Sequence, residues 1–164
     1  MSTYYPLAVG NTWTYRMTDG NTFTNTVTAA EGDQFTMQNS MQDKLQYVKK
    51  DGSTYLADNF EAGNFQVLLK DDLQAGDAWQ VSYMANNFEN LLDMAVLESG
   101  ISKEVNGTTY DDVMLIEGDM NMNMNGQIMP LNYKVQYYYA PDVGLILTTS
   151  SHGDEMGLTS YEVH

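Results

Sequence analysis

The sequence contains no cysteine. That removes disulfides, thiolate nucleophiles, zinc-thiolate centres and iron-sulfur ligation together, while leaving the compartment open, because cysteine-free chains occur on both sides of a bacterial membrane. Basic residues are nearly as scarce: Lys and Arg number 7 against 22 Asp and Glu, for a formal charge of -15. A field of that sign repels phosphate backbones and anionic headgroups, so nucleic acid is not an expected partner. Only His152 and His164 could act as neutral-pH bases. No apolar run is long enough to span a bilayer, and "MSTYYPLAVG" lacks the basic segment followed by an apolar one that marks a signal peptide.

What is present is apolar and aromatic. Of the 164 residues, 43% are hydrophobic and 12% aromatic, with 12 Tyr and 12 Met. A chain of this size can bury roughly two-thirds of its unfolded surface, enough for a real core in one domain spanning residues 1–164. Turn signals recur at short intervals: Asp19-Gly20, Glu31-Gly32-Asp33, Asp51-Gly52, Glu61 to Asn64, Gln74 to Asp77, Asn106-Gly107, Asn125-Gly126, Pro141 to Gly144 and Gly153-Asp154. Between them lie Thr-, Tyr- and Val-rich segments such as "NTWTYRMT", "WQVSYMA" and "LNYKVQYYY", whose residue types suit strands. The connections are too short for crossover helices. The pattern predicts an all-β antiparallel meander that curls into a barrel, a half-barrel or a sandwich. One stretch departs from it. In "ANNFENLLDMAVLES" the residues Phe88, Leu91, Leu92, Ala95 and Val96 recur at helical spacing, which predicts at most one short helix near residues 87–95, followed by a strand.

"GDMNMNMNGQIMP" (Gly118 to Pro130) is the least ordinary stretch. With Asn125-Gly126 as a two-residue type I′ turn, Met122 falls opposite Met129, Met120 opposite Leu131, Ile116 opposite Val135 and Met114 opposite Tyr137. Glu117 then meets Lys134, Asp119 meets Asn132, and Gly118 lies beneath Tyr133. As an EF-hand loop the same segment offers only neutral amides, from Asn121, Asn123, Asn125 and Asn132, too little charge for calcium. Met120, Met122 and Met124 share one strand face with Met129 across from them. Converging thioethers are the soft donors that select copper(I), so these four are the candidate metal ligands, set against an ordinary hydrophobic face.

No catalytic constellation emerges, and no resident cofactor is expected. Ser151, His152 and Asp154 belong to one short polar turn, whose neighbours rarely reach nucleophile, base and orienter geometry. The doublets Asp71-Asp72 and Asp111-Asp112 point to opposite strand faces and do not supply paired carboxylates. In "KVQYYYA", Val135, Tyr137 and Tyr139 share one face while Gln136 and Tyr138 share the other, the pattern of a strand with one buried side.

"YYPLAVGNTWTY" (Tyr4 to Tyr15) and "YYYAPDVGLI" (Tyr137 to Ile146), with "VNGTTYDDVMLIE" (Val105 to Glu117), resemble signatures of bacterial secreted and lipoprotein β domains. Those begin Y-P-L-x-x-G-N-x-W-x-Y and carry Y-Y-A-x-x-V-G-L near the end. The resemblance implies an extracytoplasmic location: periplasm, outer-membrane surface or secreted. The function expected is a non-enzymatic binding or structural domain, its partner a protein or a small molecule, such as an apolar compound or lipid held in the concave sheet. Copper(I) or other metal handling at the methionine hairpin, and a hydrolase using acidic residues, are the alternatives.

Overall fold

The computed structural model describes residues 3–164; Met1 and Ser2, with which the expected domain begins, lie outside them. Twelve strands follow in chain order: β1 (Thr12–Met17), β2 (Thr22–Glu31), β3 (Gln34–Asn39), β4 (Gln46–Asp51), β5 (Thr54–Ala57), β6 (Gln66–Lys70), β7 (Ala78–Ala85), β8 (Phe88–Val105), β9 (Thr108–Met124), β10 (Gln127–Ala140), β11 (Gly144–Ser150) and β12 (Glu155–Glu162). No helix occurs among the described residues, so none is long and apolar enough to cross a membrane.

The strands form one antiparallel sheet in the order β6-β5-β4-β3-β2-β1-β12-β11-β10-β9-β8-β7. Two meanders, β1 to β6 and β7 to β12, are thus joined through the β1–β12 pair. The sheet curls until its edges, β6 and β7, lie side by side in a nearly closed barrel. Side chains bridge this seam in place of a backbone ladder. The Trp79 indole N–H donates to the Val67 carbonyl (2.9 Å), the Asn64 amide to the Ser82 carbonyl (3.0 Å), and the Met84 backbone N–H to the Glu61 carboxylate (2.9 Å). Edge groups that would otherwise template pairing with another chain are satisfied this way.

The expected helix near residues 87–95 is absent. Asn86 and Asn87 take φ of 54° and 66°, the two positive values of a mirror-image hairpin turn, and Ala85 pairs with Phe88. Beyond it β8 buries Asn90, Leu92, Met94 and Val96, a period of two. Leu91 and Ala95, which completed the helical pattern, point to the other face. Asn-Asn reads as a helix start because it lacks the glycine that usually marks such a turn, yet Asn tolerates the left-handed region well enough to fill both positions.

The methionine hairpin forms with the expected turn: Asn125 and Gly126 have φ of 55° and 88°, and Met122 pairs with Met129. Further along, the register moves by two. Pro130 still lies opposite Asn121, but the next pair is Tyr133 with Met120, because Leu131 and Asn132 bulge out and Asn132 adopts φ of 54°. Pro130 has no N–H to give the ladder, which favours a break there. Ile116 therefore meets Tyr137 and Met114 meets Tyr139, while Glu117 faces Gln136 and Asp119 faces Lys134. A shift of two leaves every side chain on its intended face. Gly118 pairs with Val135, and Leu92 with Met94 rather than Tyr133 fills the space over it: a Cβ there would stand 3.0 Å from Leu92 Cδ1 and from Met94 Sδ.

The far ends of β8 and β9 bend, with Gly100 and Asp112 at positive φ and repeated register shifts between them, and fold back onto the outer face of the sheet. There Val105 is buried, the Asn106 amide donates to the Leu158 carbonyl (3.0 Å), and the Lys103 ammonium sits 4.9 Å over the Tyr138 ring. Tyr138 and Leu147 are buried beneath this arm, so both faces of β10 and β11 are covered near its base.

Candidate functional site

Eight strands enclose an interior that side chains just fill, and the diameter grows with strand number. A twelve-stranded barrel is wide, and this chain fills it with its largest side chains. The alternation of β1 turns Trp13 and Tyr15 inward, β10 contributes Tyr137 and Tyr139, and β5 contributes Tyr55. A segment outside any strand adds another. Residues 3–9 run across one end of the barrel and insert Tyr5, whose ring packs edge-on against Trp13 (5.9 Å, 71°) and tilted against Tyr55 (5.7 Å).

This strap is tied down along its length. Thr3 exchanges bonds with Asp142, its N–H to the carboxylate (3.1 Å) and its carbonyl from the Asp142 N–H (2.6 Å). The Tyr4 N–H donates to Asp71 (2.8 Å) and its hydroxyl to the Asp112 carbonyl (3.0 Å), while the Tyr55 hydroxyl bridges Thr3 Oγ1 and the Asp71 carboxylate. At the other end Asn11, fully buried, donates to the Pro6 carbonyl (2.9 Å) and accepts from the His164 N–H (2.8 Å).

Between strap and strands a cavity of about 140 Å³ remains, lined by Tyr5, Trp13, Tyr15, Tyr137, Tyr139 and Leu145, with Asn25, Gln46 and Asn59 among its polar groups. No charged side chain and no histidine lines it. Two of its polar wall groups are spoken for: the Trp13 indole N–H donates to the Val143 carbonyl (2.6 Å) and the Tyr15 hydroxyl to the Leu145 carbonyl (2.7 Å). For the hydroxyls of Tyr5, Tyr137 and Tyr139 the described residues offer no partner, although Tyr139 is only 4% exposed. They are not sealed in either, since among the described residues the only sealed side-chain polar atom left without a bond is Thr148 Oγ1. All three residues line the cavity, and their hydroxyls keep some accessible surface.

Burial sets their chemistry. It pushes the hydroxyls of Tyr5, Tyr15 and Tyr139 well above the ordinary tyrosine value, and Tyr137 up to about 12 with smaller contributions from Tyr133 and Tyr83. Tyr55 is also raised to about 12, chiefly by burial. All keep their protons at neutral pH and can donate. Because folded values lie above the unfolded value of 10.0, this stabilisation is complete below pH 10 and is lost as pH rises through about 12. Alkaline titration should thus show exposed tyrosines ionising first and the barrel tyrosines ionising together with loss of near-ultraviolet circular dichroism. If all 12 tyrosines ionised near the ordinary value while the fold persisted, this account of the interior would be wrong.

The residues singled out in the sequence lie elsewhere. Met120 and Met122 are partly buried, Met124 and Met129 are 36% and 43% exposed, and Met122 faces Met129 across the hairpin, so the four residues lie toward the hairpin end of β9 and β10. Ser151 is engaged with Lys134 through its N–H (2.9 Å) and Oγ (3.1 Å), and His152 stacks on Tyr133 (4.9 Å). His164 lies 3.6 Å from Glu162. Asp71 holds the strap, and Asp111 accepts from Ser102 (2.7 Å). No group of three or more His, Asp or Glu converges on a metal position among the described residues. The inward pairs Trp13 with Tyr15 and Tyr137 with Tyr139 follow from strand alternation. Tyr5 does not, since nothing local marks a coil residue as the plug of a barrel.

No family model matches the chain, and no curated protein matches it by sequence. Its architecture does have counterparts. The crystal structure of a candidate exported protein with a YmcC-like fold from Bacteroides fragilis superposes with a TM-score of 0.60 at 10% identity, covering 99% of this chain and 100% of that one. The fold is YmcC-like. A candidate lipoprotein from Parabacteroides distasonis aligns similarly, with a TM-score of 0.57 at 11% identity over 98% of this chain and 99% of that one. At such identity the YmcC-like likeness establishes architecture, and function rests on the site.

Proposed function

We propose that residues 1–164 form one non-enzymatic, extracytoplasmic β domain that binds a small apolar molecule inside the barrel. The carrying observation is the aromatic cavity: an uncharged, largely apolar recess of about 140 Å³. A void of about 150 Å³ lined by apolar side chains accommodates a benzene-sized ligand, which favours a single-ring compound over a lipid chain. The extracytoplasmic placement is supported by the description of the two structural counterparts as a candidate exported protein and a candidate lipoprotein. The acidic residues offer less, because Asp71, Asp111 and Asp142 are engaged in structural hydrogen bonds.

Trp13 lines the cavity and reports on it. Titration with toluene should change tryptophan fluorescence saturably, and Leu145→Phe, which fills the recess, should weaken binding by about tenfold, the effect of losing roughly 1.4 kcal/mol. Absence of saturation up to the solubility limit of toluene would sink the proposal.

A further inference from the structure

The wall of the cavity says more than its size, and we infer that its ligand is a neutral single-ring molecule carrying an oxygen acceptor, bound by the phenols of Tyr5, Tyr137 and Tyr139. The inference rests on the cavity-binding reading above and narrows it to a chemical class. Three observations support it. First, the three tyrosines line one recess and their hydroxyls have no protein partner among the described residues, so their donors are left for a bound molecule. Second, burial holds the phenols protonated, so each presents a donor. All three belong to the wall of the same recess. Third, no lysine, arginine or histidine lines the recess to compensate an anion, and no carboxylate lines it to compensate a cation, so a charged ligand would be desolvated without a counter-charge. Aromatic walls on several sides suit a flat ring, through edge-on and offset contacts with Trp13 and Tyr5.

The class is therefore a monocyclic ketone, ester, ether or quinone-like compound, with the ring among the aromatics and the oxygen toward the phenol cluster. Tyrosine hydroxyls left empty-handed in an apolar recess act as a polar filter: a hydrocarbon of the same shape leaves them unpaired, whereas an acceptor satisfies them.

The test uses the intact chain and four probes: toluene, ethylbenzene, acetophenone and benzoate. Acetophenone should bind at least about tenfold more tightly than its hydrocarbon counterpart ethylbenzene, and benzoate should not bind measurably. Tyr137→Phe and Tyr139→Phe should each bring the ratio of acetophenone to ethylbenzene affinity down toward one. Both variants keep the ring and discard an unpaired hydroxyl, so their thermal midpoints should match or exceed that of the unaltered protein, which separates a lost ligand contact from a damaged fold. Equal binding of acetophenone and ethylbenzene, or a preference that survives both substitutions, overturns the acceptor assignment while leaving the cavity reading in place. Failure of toluene as well as acetophenone overturns both.

Discussion

Trp13→Ala is expected to lower the unfolding free energy by about 3–5 kcal/mol, the cost of emptying a buried tryptophan site. Trp13 is 2% exposed and stands at the join of the two meanders, on the strand that pairs with both β2 and β12. Its ring packs against Tyr5 and its indole N–H donates to the Val143 carbonyl at 2.6 Å. Gly144, at φ of 113°, brings the chain so close that a Cβ there would lie 3.2 Å from the indole nitrogen. Small domains have about 5–15 kcal/mol of stability in total, so this one truncation removes a large share of it. Trp13→Phe should cost less, about 1–3 kcal/mol, because an aromatic ring remains and mainly the bond to Val143 is lost. Urea unfolding of both variants checks this: the midpoint should fall in the order Phe, then Ala, with an unchanged slope. Equal midpoints for the two would mean that the hydrogen bond, not packing, carries the effect.

Asn11→Leu is expected to be the next most damaging change. The two side chains are close in volume, so the loss is of hydrogen bonds rather than bulk. The Pro6 carbonyl and the His164 N–H would each lose a partner, at about 1–3 kcal/mol per orphaned buried group. The damage should be local as well as global. Hydrogen exchange should accelerate over residues 3–9 and at the end of β12 before it does so in β8 and β9, whose ladder does not depend on Asn11. Uniform acceleration across the sheet would show that the strap is not a separable unit.

How much of this was legible beforehand depends on range. Turns built on Asn-Gly and Asp-Gly could be read directly because their dipeptides demand positive φ, and the all-β antiparallel class followed from them. Asn86-Asn87 escaped because the same conformation is reached there without glycine. The faces of Tyr137, Tyr138 and Tyr139 were legible from alternation alone, and the structure puts Tyr137 and Tyr139 on the cavity wall with Tyr138 under the outer arm. The placement of β12 beside β1 was not, since pairing between strands at opposite ends of a chain leaves no local mark. For the same reason the cavity was invisible: its walls come from β1 to β6, from β10 and β11 and from a coil segment, and only closure of the barrel brings them together.

The two-residue shift in β10 has a bearing on how such a chain can change length. Inside and outside along a strand depend only on whether positions are odd or even, so the Leu131–Asn132 pair is an even-numbered excursion that leaves the parity of Tyr133 to Tyr139 intact. A single inserted or deleted residue at the same place would exchange Tyr137 and Tyr139 with Gln136 and Tyr138 across the wall, and the cavity would lose both of the β10 rings that line it. At this point of β10 the strand is thus free to vary by twos, and the bulge after Pro130 is a place where an even change is already accommodated.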